Sequence, residues 1–176
     1  MSLDSPSTRE ACLPLTSDSS SDLAAYRNVL SNFASGVVIV TAEGRNGPVG
    51  MTFQSFFSVS LEPPLVAISP SRTSQTWREI RQAGAFCVNV LQRKQTSLCQ
   101  VFGTRSNNRF EGISWSAGAR TGAPVLEGCL AWLECDIDSV HEAGDHFLVV
   151  ARVLGLAAAR GEPLVVYRRA LGSFQV

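Results

Sequence analysis

The chain has 176 residues, of which 45% are hydrophobic, the size and composition of one globular domain with a substantial core. Lys+Arg and Asp+Glu both number 15, so the formal net charge is zero and no basic surplus exists to hold nucleic acid or an anionic membrane surface. No apolar run approaches the roughly 20 residues of a membrane helix, and the opening MSLDSPSTREACLP lacks the basic-then-apolar order of a signal peptide, so a soluble, cytoplasmic protein is expected.

Residues 1–21 hold seven serines with scattered Pro, Thr and Asp, and this segment is expected to be a disordered tail ahead of one domain spanning residues 22–176. From Asp22 onward Leu23, Tyr26, Leu30 and Phe33 recur at helical spacing, with Ser21 or Asp22 able to cap the first turn. Gly36 ends that helix. GVVIVTA is then a β-branched strand, EGRNGP a turn, and VGMTFQSFFSVSL a second extended stretch, which together predict a hairpin or meander. Glu62-Pro63-Pro64 interrupts pairing and LVAIS resumes it. A helix over TWREIRQA follows, with Thr76 and Glu79 at capping-box spacing and Gly84 as its stop.

AFCVNVL is the next predicted strand, KQTSLCQVF a helix, and GTRSNNRFEG an exposed loop. In LAWLECDIDSV, Ala131, Leu133, Cys135 and Ile137 alternate with Trp132, Glu134, Asp136 and Asp138, giving one apolar and one largely polar face. HFLVVARVLGL and PLVVY bring the count to about six or seven strands. Connections too short for helical crossovers predict a mainly antiparallel sheet closed into a barrel, with a few short helices outside. Neither GxGxxG nor GxxxxGK[ST] is present, which disfavours a doubly wound nucleotide fold.

Five cysteines without a CxxC pair suggest small buried thiols, and two histidines without Cys-His spacing give no metal centre. Nor is there a GxSxG elbow or an HExxH pair for hydrolysis. The polar segment Gly50 to Ser60 mixes hydroxyls and an amide with aromatics, which suits either a planar, heteroatom-edged ring or a strand facing water. Ser69, Ser71, Arg72, Thr73, Ser74 and Thr76 precede a predicted helix, where free N–H groups favour an anion, although one hydroxyl suffices for capping. Gly144-Asp145-His146 enters a strand, and Arg109 with Phe110 can set a cation and a ring over a ligand.

FASGVVIVT, GMTFQSFFSVSLEPPLVAIS, SRTSQT, FCVNVL, RFEG, GAPVLEGCLAWLEC, GDHFLVVARV and PLVVY stand in one order from Tyr26 to Phe174. In that order the chain resembles the short-chain flavin reductases, the reductase components of bacterial two-component flavin-dependent monooxygenases. The resemblance implies a mainly β, Greek-key split β-barrel of the FMN-binding type with a few short peripheral helices. It also implies a homodimer, hydride transfer from NADH or NADPH to FAD or FMN, and release of reduced flavin to a monooxygenase partner.

By position, the resemblance assigns Gly50, Met51, Thr52, Gln54, Ser55 and Phe56 to the flavin ring edge, with Thr52 and Ser55 as favoured hydrogen-bonding side chains. Gln54 stands where the family commonly carries Asn or a small residue. Ser69, Ser71, Arg72, Ser74 and Thr76 are assigned to the phosphate and ribityl chain, Asn89 and Phe110 to the pocket wall, and His146 to the nicotinamide. No metal is implied. Both reactive atoms belong to the cofactors, so catalysis reduces to placing them roughly 3 to 3.5 Å apart. With Lys94 the only lysine beside 14 arginines and no arginine cluster suited to a 2′-phosphate, NADH is expected over NADPH. FAD is expected over FMN. The competing expectations are a flavin carrier without turnover and an FMN oxidase of the pyridoxamine-phosphate type.

Overall fold

The computed structural model describes residues 20–174 apart from 105 and 107. In chain order these form α1 (Ser20–Leu30), β1 (Ser35–Gly36), β2 (Val38–Gly44), β3 (Gly47–Phe53), β4 (Phe57–Leu61), β5 (Pro64–Ile68), α2 (Gln75–Ala83) and β6 (Ala85–Val90). A 3₁₀ turn (Arg93–Gln95) leads into α3 (Thr96–Gly103), followed by β7 (Trp115–Ala117), β8 (Pro124–Leu126), β9 (Ala131–Ala143), β10 (His146–Ala158), β11 (Leu164–Tyr167) and β12 (Ala170–Ser173). The tail expected over residues 1–21 falls, up to residue 19, outside the described residues, and α1 begins at Ser20.

β2 explains the uninterrupted apolar run at the start of the domain, because both of its faces are covered. Val38, Val40 and Ala42 point into a core with Val66, Ile68, Trp77, Ile80, Phe86, Val88 and Val149, while Val37 and Ile39 point into a second core with Leu91, Phe102, Leu126 and Leu164. α2 closes the first core through Trp77 and Ile80, and α3 reaches the second through Phe102. Each of these fully buried large side chains contributes about 1.5–3 kcal/mol of apolar transfer free energy.

Seven strands form one antiparallel sheet in the order β3-β2-β6-β9-β10-β5-β4. Its outer strands, β3 and β4, do not pair with each other, so the barrel is split and the closed barrel read from connection lengths is corrected. The single extended stretch expected from Val49 to Leu61 is divided for the same reason. Gln54 to Phe56 leave the sheet and cross between its two edges, β3 pairing with β2 and β4 with β5. The hydroxyl of Ser55 clamps the crossing, accepting from the Ser69 N–H (3.0 Å) and donating to the Ser69 carbonyl (3.3 Å). The β7–β8 hairpin and β12 were not anticipated; at three or four residues, they are too short to show a period.

Glu134, expected on the polar face of β9, is only 1% exposed. The loop joining β7 to β8 folds over it, so that one carboxylate oxygen accepts from the N–H groups of Arg120 (2.9 Å) and Thr121 (2.8 Å) and from the Thr121 hydroxyl (2.9 Å). Gly118 leaves the space, since a Cβ there would stand 2.1 Å from that oxygen. Burial pushes this carboxyl up, and the three hydrogen bonds together with the Arg120 charge outweigh it, leaving its pKa below the ordinary value. A depressed carboxyl stabilises the fold above its unfolded-state pKa and loses that contribution as pH falls through its folded value. Glu134→Ala is therefore expected to cost about 3 kcal/mol at neutral pH and to flatten the acid limb of the stability curve, measured by urea unfolding at stepped pH. An unchanged acid limb would place the wild-type pH dependence elsewhere.

Candidate functional site: a cleft between the edge of the barrel and the first turn of α2

One cleft of about 880 Å³ lies between β3, the start of α2 and the segment from Phe102 to Phe110. Of the residues singled out from sequence, Gly50, Met51, Thr52, Ser71, Thr73, Ser74, Thr76, Arg109 and Phe110 line it. Gly50 is required by close packing: a Cβ there would meet the Phe102 ring at 2.9 Å and Thr41 Cγ2 at 3.1 Å. Phe102 stands edge-to-face with Phe110 (centroids 5.0 Å apart), and Phe110 with Trp115 (6.2 Å), so one end of the cleft is aromatic. Phe102 is only 1% exposed and Trp115 does not line the cleft, so Phe110 is the ring left partly exposed to a planar ligand.

The hydroxyls are more committed than the sequence implied. Thr52 donates to the Cys99 carbonyl (3.0 Å), and Ser55, outside the cleft, is held by Ser69. Ser74, rather than Thr76, caps α2, accepting from the Trp77 N–H at 3.1 Å. The capping box expected between Thr76 and Glu79 does not form: the cap stands two residues earlier, where the N3 residue is Trp77. The N–H groups of Gln75 and Thr76 remain as open donors of the first turn and face an anion well.

Arg109 supplies the charge that Arg72 was expected to supply. Its Nη1 donates to the Gly50 carbonyl (2.8 Å) and the Thr76 hydroxyl (2.9 Å), and its Nε and Nη2 to the Thr104 carbonyl (2.9 and 2.6 Å). All these acceptors are neutral. Burial lowers the Arg109 pKa from its ordinary value, and the nearby Glu79 carboxylate only partly offsets this. A partly desolvated guanidinium with neutral partners is an electrostatic demand for an anion. In sequence, the signal was only the Arg-Phe pair of NNRFEG.

Arg72 instead turns to the β9–β10 hairpin, pairing with Glu142 (3.2 Å) and lying over the Phe147 ring. It does not line the cleft. Asn89 is likewise not a wall residue: it is 0% exposed, its Nδ2 is near the Ile39 carbonyl (3.2 Å), Thr41 hydroxyl (3.0 Å) and Pro124 carbonyl (3.3 Å), and its Oδ1 accepts from the Leu126 N–H (2.8 Å). It ties β8 to β2. Gln54, Phe56 and Ser69 also lie off the cleft, Ser69 donating to the Phe147 carbonyl (2.9 Å).

His146 lies beside the rim, not on the lining. It is the bridge partner of Ser71, and the Arg72 N–H to Asp145 carbonyl bond (3.0 Å) fastens the two segments together. Its Nδ1 is 2.7 Å from Asp145 Oδ1, and this hydrogen bond, reinforced by the imidazole charge, holds the Asp145 carboxyl below its ordinary pKa. Among the described residues its second ring nitrogen takes part in no hydrogen bond.

The four described cysteines are free, and burial pushes Cys129 up to about 11 and Cys135 up to about 12, so neither is a nucleophile near neutral pH.

A guanidinium beside a partly exposed aromatic ring is an arrangement suited to a nucleotide, and the chain is similar to proteins whose names carry such ligands. A reductase subunit of a flavin-dependent monooxygenase, HsaB from Rhodococcus jostii, is 45% identical over 144 residues, covering 81% of this chain and 73% of that protein. Nitrilotriacetate monooxygenase component B from Mycobacterium thermoresistibile superposes with a TM-score of 0.85 at 38% identity, covering 88% of this chain and 87% of that one. The Streptomyces globisporus NADH:FAD oxidoreductase SgcE6, solved with NAD and FAD fragments, gives a TM-score of 0.84 at 32% identity over 88% and 94% of the two chains. Residues 30–175 match the flavin reductase like domain, and with the split barrel and its cleft this means that the chain belongs to the flavin reductase-like family.

Proposed function

We propose that this protein is an NADH-dependent flavin reductase that passes hydride to FAD or FMN and releases the reduced flavin to a separate monooxygenase. The observation that carries the reading is Arg109, a guanidinium fixed in a cleft by neutral oxygens, one of them the Thr76 hydroxyl in the first turn of α2. A flavin phosphate seated there lets the ring system run along Gly50 to Thr52 toward Phe110. The names of HsaB, a reductase subunit, and SgcE6, an NADH:FAD oxidoreductase, support the same reaction.

Flavin supplies the hydride acceptor, and the chain supplies placement. β3 and the aromatic end orient the ring, Arg109 with the first turn of α2 anchors the phosphate, and His146, held by Asp145, orients the nicotinamide at the rim. The cleft is open along one side, so flavin enters and leaves. We assign residues 22–176 to a single domain and the protein to the cytoplasm, where NADH is available. We also assign it to a homodimer, because Phe57, Val59 and Leu61 of the edge strand β4 and Leu156 of β10 are at least 47% exposed on one chain, and burying such a face needs a second copy.

Purified, flavin-free protein is expected to oxidise NADH only when FAD or FMN is added, with reduced flavin appearing in step. Flavin-independent NADH oxidation would sink the reading, and tight flavin binding without turnover would restore the carrier alternative.

A further inference from the structure

Glu79 lies one helical turn beyond Thr76 on α2, about 4.5 Å along the axis, and faces the same cleft. It is half-buried, and among the described residues its carboxylate takes part in no hydrogen bond or ion pair, while its charge acts on Arg109 across the cleft. It also lines a second, shallower depression of about 550 Å³ that continues past the cleft toward Glu43, Arg45 and Gln82. Three features therefore follow one another along the wall: an anion seat at Arg109, an unpartnered carboxylate at Glu79, and an open shelf with a guanidinium and an amide.

Resting on the flavin reading above, we infer that Glu79 receives the ribose diol of the adenosine half of a flavin dinucleotide, and so selects FAD over FMN. Two carboxylate oxygens match two adjacent hydroxyl donors, the pairing by which acidic residues hold an unphosphorylated ribose elsewhere. A phosphate ester on that diol is excluded by like charge. The adenine then lies on the shelf, where the Arg45 plane can stack on it and the Gln82 amide can meet its edge. A mononucleotide ends at Arg109 and leaves both Glu79 and the shelf unused.

The sign of the effect distinguishes the two flavins. Glu79→Gln removes a charge that repels the phosphates of either flavin and takes away one of the two acceptors for the diol, and only FAD has a diol there to lose. Glu79→Gln is therefore expected to weaken FAD binding about tenfold and to leave FMN unchanged or tighter, measured by calorimetric titration of the purified protein with FAD, FMN and riboflavin. The KM for NADH is expected to move less than about twofold.

Equal weakening of all three flavins would assign Glu79 to the ribityl chain and overturn the inference, as would tightening of both phosphorylated flavins. A tenfold rise in the NADH KM with flavin affinities unchanged would assign the diol to the nicotinamide dinucleotide and also overturn it. Wild-type protein that binds no flavin would instead fail the parent reading, so the two failures are separable.

Discussion

Arg109→Met is expected to weaken FMN and FAD binding about a hundredfold while changing riboflavin affinity by less than about threefold, since only the first two carry a phosphate. The size follows from losing charge-assisted hydrogen bonds in a partly desolvated cleft, where water replaces them poorly. Arg109→Lys keeps the charge and loses the planar fork that spans Gly50, Thr76 and Thr104, so it is expected to fall between, at about tenfold. Because Arg109 also ties three segments together, thermal unfolding of each variant is measured beside binding. A riboflavin loss as large as the FMN loss would mean that Arg109 only shapes the cleft, and the phosphate would have to be placed elsewhere.

Asn89→Ala is expected to remove about 3–4 kcal/mol of stability with little effect on flavin affinity in the molecules that remain folded. Its side chain is fully buried, and truncation leaves the Leu126 N–H without its acceptor and removes the amide donor shared by the Ile39 and Pro124 carbonyls and the Thr41 hydroxyl, of which Pro124 keeps the Thr41 hydroxyl. Urea unfolding gives the first quantity, and flavin titration at low temperature the second. A variant as stable as wild type that no longer binds flavin would return Asn89 to the pocket wall that the family resemblance assigned it.

The contrast between Asn89 and Arg109 shows where sequence reading succeeds and where it stops. Residue type and local order carried the strands and helices well, because apolar periodicity and stop signals act over a few residues: β2, β5, α2 with its Gly84 end, β6, β9, β10 and β11 all stand where those patterns put them. Local order also carried the neighbourhood of the site, since Gly50 to Thr52 and, Arg72 apart, Ser71 to Thr76 are stretches that fold onto the same cleft.

The partners of the polar side chains were not legible, because partnership depends on what the chain brings back from far away. Asn89 meets Leu126, 37 residues later, and Thr52 meets Cys99, 47 residues later, so both are consumed by the fold. Glu134 looked solvent-facing by alternation until a loop closed over it. Arg72 and Arg109 are chemically equal in the sequence; one is drawn to Glu142 across a hairpin and the other is inserted between β3 and α2. The sequence by itself determined the elements, the split-barrel class through its motif order, and the segments that meet. The tertiary structure alone decided which hydroxyls, amides and charges remain available to a ligand, because a buried polar group must first satisfy its own hydrogen bonds and only the surplus can recognise anything else.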